Sequence, residues 1–189
     1  MNRSVCAVLA GFLYCSMNIS GANAPSPPLR QDSSWKKYVN KDLGYCVSYP
    51  SRWRRGEAFD GAGMFFETGV KRFSKPLGEI DIGALPSPED LGEIVRVHLE
   101  GLKKFERAED MEVLERREMR LLDSPALFTK DRYFDPQDRD HWVDEILLAK
   151  HGGQLYRLEL ECRAEQLARF EPVFSRFVQS FKFDCNSKR

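Results

Sequence analysis

The chain has 189 residues, and its 29 lysines and arginines balance its 29 aspartates and glutamates, so its formal net charge is zero. Hydrophobic residues make up 42% and charged residues 31%, a mixture typical of a soluble globular protein and too apolar for a disordered one. The balanced charge supplies no basic excess for a phosphate backbone, so we expect no nucleic-acid partner.

Residues 1–24 have the pattern of a secretory signal peptide. A single charge, Arg3, precedes the apolar run Val5–Leu13, and small residues follow it. The run is too short to span a bilayer, for which about 20 residues are needed. We therefore expect cleavage after Ala22 or Ala24 and an exported chain, periplasmic or extracellular, that is not integral to a membrane. An uncleaved membrane anchor is the alternative.

The following residues predict a lead-in and then the first half of a folded domain. Residues 25–34 are rich in proline and serine, which indicates an extended segment, and we place a single domain at 35–185. Strand-like patterns predict a first hairpin and two more strands, at Trp35 to Val39, Tyr45 to Tyr49, Gly63 to Thr68 and Glu79 to Leu85.

Ser87-Pro88 is typical of a helix start, with Ser87 as the N-cap. An apolar stripe at helical spacing follows and predicts a helix from Pro88 to about Phe105. The stripe consists of Leu91, Ile94, Val95, His98, Leu102 and Phe105.

Four more strands are predicted in the second half, at Met111 to Met119, Pro125 to Phe134, His141 to Ala149 and Gln154 to Cys162. The first is strongly charged and predicts an exposed edge strand. In the last, we expect the alternating Tyr156, Leu158 and Leu160 inside and Arg157, Glu159 and Glu161 outside.

A final helix is expected over about 164–181, kinked or divided at Pro172. The order strands, helix, strands, helix predicts an α+β fold with an antiparallel sheet.

Export makes the cysteines candidates for a disulfide. Three remain after the signal segment, which fits one bridge and one leftover thiol, and their isolated spacing matches no zinc site. Cys162 lies on the inward face of its strand, so we expect it to be a buried thiol. We expect Cys46 and Cys185, near opposite ends of the domain, to form the bridge.

Two segments resemble the PsbP-like family. Residues 44–53 (GYCVSYPSRW) are similar to its opening motif, and residues 156–158 (YRL) through 180–183 (SFKF) are similar to its last strand, closing helix and terminal signature. The resemblance spans roughly residues 35–184. It implies an antiparallel sheet flanked by helices, an α/β/α sandwich.

Members of this family include the extrinsic photosystem subunit, a Ran-binding nuclear transport factor and bacterial envelope proteins. The resemblance therefore implies docking or accessory work without catalysis. The segments that attach the photosystem subunit to its partner have no match here, so that function is not transferred.

The three histidines are the main candidates for metal or catalytic chemistry. For His98, on the apolar stripe, we favour a core histidine with a backbone partner. His141 follows Asp138 and Asp140, and such a trio is a candidate metal site, but the spacing matches no metal motif and we favour a solvated loop. His151 lies in a hairpin turn and is expected to be exposed.

The sequence contains no serine-hydrolase, dinucleotide, P-loop or zinc-protease motif, so we predict no catalytic residue, no metal and no cofactor. Arg52, Arg54 and Arg55 flank Trp53 in a basic–aromatic cluster that suits an acidic partner patch or an anionic ligand. We favour the alternative of a buried Trp53 with solvated neighbours, and the arginines remain the candidate interaction surface.

We therefore expect a non-enzymatic interaction or accessory module of the cell envelope with a protein partner. The alternative is a small-ligand-binding protein with a cleft between sheet and helix. A pocket lined by Trp53 or Trp142 with converging arginines would support this alternative. An enzyme would require His98 or His141 within hydrogen-bond reach of a carboxylate or thiol in a cleft.

Overall fold

The computed structural model describes residues 34–58, 62–68, 71–72, 75–86 and 90–185. The predicted signal peptide at 1–24, all of the lead-in except Ser34, and the predicted helix start at Ser87-Pro88 lie outside the described residues.

All paired strands in the described residues are antiparallel, as expected for the α+β class. The strands are β1 (Trp35–Asn40), β2 (Tyr45–Pro50), β3 (Arg54–Ala58), β4 (Gly63–Glu67), β5 (Lys71–Arg72), β6 (Lys75–Pro76), β7 (Gly78–Pro86), β8 (Glu109–Leu121), β9 (Ser124–Asp135), β10 (Asp140–His151), β11 (Gln154–Arg163) and β12 (Lys182–Phe183). The main sheet has the order β3-β4-β7-β11-β10-β9-β8, a second sheet has the order β1-β2-β12, and β5 pairs with β6.

Helix α1 (Leu91–Gly101) continues into one π-helical turn at Leu102–Glu106, and helix α2 (Leu167–Ser180) follows a 3₁₀ turn at Ala164–Gln166. The α1 helix begins later than predicted because Asp90 is its N-cap, with a side chain that accepts a hydrogen bond from the Gly92 amide (2.7 Å). The expected division at Pro172 is absent from α2, which continues through this residue.

The main sheet is covered on both faces. Leu155 and Tyr156 are consecutive residues of β11 and so point to opposite faces. Tyr156 belongs to a large apolar core that includes the α2 residues Phe170 and Phe177. Leu155 belongs to a smaller cluster that includes Val95 of α1. The result is the α/β/α sandwich that the family resemblance implied.

Strand β3 was not predicted, because its sequence (RRGEA) lacks an alternating apolar pattern. Its strand conformation comes from pairing with β4 at the edge of the main sheet. Gly56 allows this pairing, since a Cβ at this position would overlap the Phe65 ring. The opposite edge is β8, which was predicted to be an edge strand because it is strongly charged.

Cys46 and Cys185 form a disulfide with a Cα–Cα distance of 5.7 Å. Cys46 lies on β2, and Cys185 follows β12, which pairs with β2 in the small sheet. Cys162 is a buried free thiol, as expected from its inward position on β11.

Candidate functional site

A cavity of about 320 Å³ lies between α1 and the main sheet, and we call it the α1 cleft. Five carboxyl groups line it: Asp81, Glu106, Asp144, Glu159 and Glu161. His98 and the π-helical turn form the helix side, and Arg157 and Tyr133 contribute from the sheet. The cleft is therefore predominantly acidic, with one histidine and one guanidinium.

The strand register brings these carboxyl groups together. Asp81 of β7 is the cross-strand partner of Glu159, and Asp144 of β10 is the partner of Glu161. Cross-strand partners project from the same face of a sheet, and here that face is covered by α1. The expectation that Arg157, Glu159 and Glu161 lie outside was wrong: Glu159 is only 7% exposed.

His98 makes its polar contacts with side chains, not with the backbone group that we expected. Nη2 of Arg157 lies 3.0 Å from His98 Nδ1, and the same nitrogen lies 2.6 Å from Glu159 Oε2. Nε2 lies 3.3 Å from Asp144 Oδ2 and 4.0 Å from Glu159 Oε1. Because a guanidinium only donates, Nδ1 accepts and the proton of the neutral ring is on Nε2. Burial lowers the pKa of His98, which favours this neutral form.

Burial raises the pKa values of two other groups of the α1 cleft. It raises the pKa of Asp81 to about 9, and the nearby carboxylates, beginning with Glu79, act in the same direction. Burial likewise raises the pKa of Tyr133 far above its usual range. Tyr133 is 0% exposed, and its hydroxyl has no hydrogen-bond partner among the described residues. An unpartnered buried hydroxyl is costly unless a bound group satisfies it.

The α1 cleft meets the distance condition that we set for an enzyme, since His98 lies beside a carboxylate. Nδ1 is nevertheless occupied by the Arg157 guanidinium, and Nε2 carries the proton of the neutral ring, so neither nitrogen is placed to accept a proton from a substrate. The buried thiol of Cys162 belongs to the core on the other face of the sheet, and burial raises its pKa. The contacts thus suit binding of a positively charged group better than general-base or thiolate chemistry.

His141 does not form a site with the two aspartates near it. Both carboxylates instead contact the buried guanidinium of Arg163, with Nη2 lying 3.6 Å from Asp138 Oδ2 and Nη1 bound to Asp140. His141 lies on β10, half-buried with its ring edge-on to Phe134, and not in a solvated loop.

His151 is half-buried, not exposed as expected, because its ring stacks on Phe183 at a centroid distance of 4.0 Å. Its two nitrogens lie 3.0 Å from Ser124 Oγ and 3.0 Å from Asp184 Oδ2. These are the residue types of a hydrolase triad, but Ser124 is 5% exposed, so its hydroxyl is poorly accessible to a substrate.

The three candidate arginines lie at and just before β3, and they do not converge. Arg54 pairs with Glu67 of β4, whereas Arg55 lies over the Tyr38 ring at 5.0 Å. Trp53 is half-buried, with its ring 6.0 Å from that of Phe170. Neither Trp53 nor Trp142 lines the α1 cleft, so the cleft lacks the tryptophan lining that would have supported the ligand-binding alternative.

Comparison of the sequence with family models finds no match. A search of the curated proteins also finds no significant match. Solved structures, in contrast, are similar over most of the chain. The solution structure of cyanobacterial PsbP (CyanoP) from Synechocystis sp. PCC 6803 is 14% identical, with a TM-score of 0.58, and the match covers 84% of this chain and 98% of that chain. The Ran-binding protein Mog1p of Saccharomyces cerevisiae is 10% identical, with a TM-score of 0.59, and the match covers 82% and 97%.

This protein has the PsbP/Mog1-like fold. A third structure with this fold is LpqN of Mycobacterium tuberculosis, described as involved in cell envelope biogenesis; it is 12% identical, with a TM-score of 0.52, and the match covers 80% of this chain and 91% of that chain. Neither helix of the described part of the chain has the length and hydropathy to cross a bilayer.

Four polar residues of the α1 cleft were missed in the sequence: Asp81, Tyr133 and Asp144 on strands, and Glu106 in the π-helical turn. The signal for the three strand residues was a polar group inside a predicted apolar strand, as for Asp144, which together with Glu145 lies between Val143 and Ile146. Both faces of the main sheet are covered here, so such a residue faces either α1 or the layer that contains α2.

Proposed function

We propose that this protein is an exported accessory domain of the cell envelope that acts by binding a protein partner. The domain, residues 35–185, would remain after removal of the signal segment at 1–24. The supporting observation is the disulfide between Cys46 and Cys185. Disulfides form and persist mainly in oxidising compartments, which exported proteins reach. The PsbP/Mog1-like fold agrees with this role, since one solved structure with this fold binds Ran and another is involved in envelope biogenesis.

The proposed partner surface is the edge of the main sheet at β3, with Arg52, Arg54 and Arg55. An edge strand leaves backbone groups available for a partner, and the cations suit an acidic patch. Because Arg54 pairs with Glu67, the test of this surface leaves Arg54 in place.

This proposal can be tested by crosslinking and affinity capture. The full chain is expressed in its source organism, so that it is exported to the envelope before it is captured. We expect one near-stoichiometric protein that is lost from the double variant Arg52→Glu/Arg55→Glu. The matched control is Arg120→Glu, an exposed arginine on the opposite edge strand β8, which should retain the partner. Capture that is equal for all three proteins, or that is absent throughout, would contradict the proposed surface.

The second candidate function is binding of a small ligand in the α1 cleft, and the observation that favours it is the acidic cavity itself. With Asp81 neutral, four carboxyl groups face one guanidinium, so the ligand should be cationic. A thermal-shift screen of cationic and anionic small molecules tests this function. Cations that stabilise the protein but not its Glu159→Gln variant would support it; stabilisation only by anions would contradict it.

A further inference from the structure

Three side chains of the α1 cleft have the identity and spacing of metal ligands. His98, Asp144 and Glu159 each offer one ligand atom, and these atoms lie within 4.8 Å of one another. Ligands bound to one ion at about 2.0–2.2 Å are separated by about 3–3.5 Å. The 3.3 Å between His98 Nε2 and Asp144 Oδ2 already matches this spacing, and the 4.0 Å to Glu159 Oε1 requires a small closure.

Two further observations point to a cation and not merely to an acidic surface. Apart from Asp81, four carboxyl groups of the α1 cleft outnumber its single guanidinium, so a bound cation would relieve repulsion within the cleft. The Tyr133 hydroxyl, fully buried at the wall of the same cavity, has no hydrogen-bond partner among the described residues. A water bound to the ion would supply that partner.

We propose that the α1 cleft binds one divalent transition-metal ion through His98 Nε2, Asp144 and Glu159. One imidazole with two carboxylates favours an ion such as Zn²⁺ over Mg²⁺ or Ca²⁺, which prefer oxygen ligands. This inference rests on the second candidate function, because it names the cation that the acidic cavity binds.

Binding of the ion requires a rearrangement of Arg157. In the structure Nδ1 of His98 accepts from Arg157, so Nε2 carries the proton. An ion on Nε2 takes the place of that proton, and the ring then carries its proton on Nδ1, where it faces the guanidinium donor. Arg157 must therefore leave Nδ1, while it keeps its contact with Glu159 Oε2. Arg157 thus acts as a competitor of the ion, and its removal should strengthen metal binding.

The test is isothermal titration of tag-free, metal-stripped protein, produced from the full chain, with Zn²⁺. We expect one ion per chain, a loss of about 10-fold or more in affinity for His98→Gln, Asp144→Asn and Glu159→Gln, and a gain for Arg157→Gln. His151→Gln is the matched control, since it removes a histidine that also lies beside a carboxylate but outside the cleft, and it should leave the affinity unchanged.

Tyr133→Phe removes only the hydroxyl, so it keeps the proposal testable if a ligand variant fails to fold. We expect it to weaken Zn²⁺ binding several-fold while the visible spectrum of bound Co²⁺ still shows three protein ligands. Absence of Zn²⁺ binding up to about 100-fold molar excess, or binding that is lost in His151→Gln and retained in His98→Gln, would overturn the metal site. Stabilisation by an organic cation without Zn²⁺ binding would overturn the metal site alone and leave the cleft as a ligand site.

Discussion

Gly78 of β7 lies directly against the ring of Phe170 on α2, where a Cβ on the glycine would come within 2.7 Å of Cε2 of that ring. Two further atoms of the same ring would lie 2.8 Å from the added carbon, so the whole edge of the ring occupies the space of a side chain. Phe170 is buried in the large apolar core. The absence of a side chain at Gly78 therefore lets α2 pack closely on β7.

The variant Gly78→Ala should be destabilised by about 1–3 kcal/mol, because a buried aromatic ring must shift to admit the methyl group. Gly101→Ala is the matched control: this glycine has a helical φ of −60°, and an added Cβ meets nothing within 4 Å. It should be neutral or stabilising by up to about 1 kcal/mol. Urea unfolding of the two variants, at equal m-values, compares their stabilities. If Gly78→Ala unfolds at the same midpoint as Gly101→Ala, α2 can move away from β7 to admit the methyl group.

The disulfide between Cys46 and Cys185 should contribute substantially to stability, because the two residues are 139 positions apart. Closing a loop of this length restricts the unfolded chain and typically stabilises by about 2–4 kcal/mol. The double variant Cys46→Ser/Cys185→Ser should lose this amount in urea unfolding. Reductant should lower the Tm of the wild-type protein but not that of the double variant; equal effects on both would contradict this contribution.

The raised pKa of Asp81 predicts a specific pH dependence of stability. Burial, together with Glu79, Glu159 and Glu161, raises this pKa to about 9 from an ordinary value of 3.8, and Arg157 acts in the opposite direction. The folded state therefore holds the proton more tightly than the unfolded state, so this residue's contribution to stability decreases as the pH rises from about 4 to 9.

The variant Asp81→Asn removes this ionisation. In metal-free buffer we expect its Tm to exceed that of the wild-type protein at about pH 8 by several degrees, and the difference to become smaller towards about pH 4. Thermal unfolding of both proteins across this range is the measurement. A difference in Tm that is independent of pH would show that Asp81 is ionised in the folded protein.

Lys130 joins two carboxylates on the α2 side of the main sheet. Its Nζ lies 2.6 Å from Glu145 Oε1 and 2.8 Å from Glu171 Oε1, and Glu145 is buried. Lys130→Met should lower the free energy of unfolding by about 3 kcal/mol, because it leaves the Glu145 carboxylate buried without its cation. The double variant Lys130→Met/Glu145→Leu should recover part of this loss in urea unfolding. A double variant less stable than Lys130→Met would contradict this explanation.

Much of the fold was predictable because the relevant signals are local. The alternation along β11 identified Tyr156, Leu158 and Leu160 as core residues, and all three are buried beneath α2. The hairpin of β10 and β11 follows from the turn between them. Strand β3 has no such pattern, and its conformation depends on its neighbour β4.

The candidate site was less predictable, because charge alternation on a strand does not distinguish a face in water from a face beneath a helix. Arg157 and Glu159 have the pattern of solvent-exposed residues, yet α1 covers them. Phe105 shows the opposite error: it fits the apolar stripe of α1, but the π-helical turn leaves it 73% exposed.

The sequence by itself predicted the two helices, most of the long strands and their antiparallel hairpins, the buried Cys162 and the pairing of Cys46 with Cys185, since these depend on local periodicity and on few residues of one kind. Only the tertiary structure decided which face of the main sheet α1 covers. That choice brings Asp81, Asp144 and Glu159 from three strands to one histidine, and no local pattern encodes it, because the contacts join residues far apart in the chain.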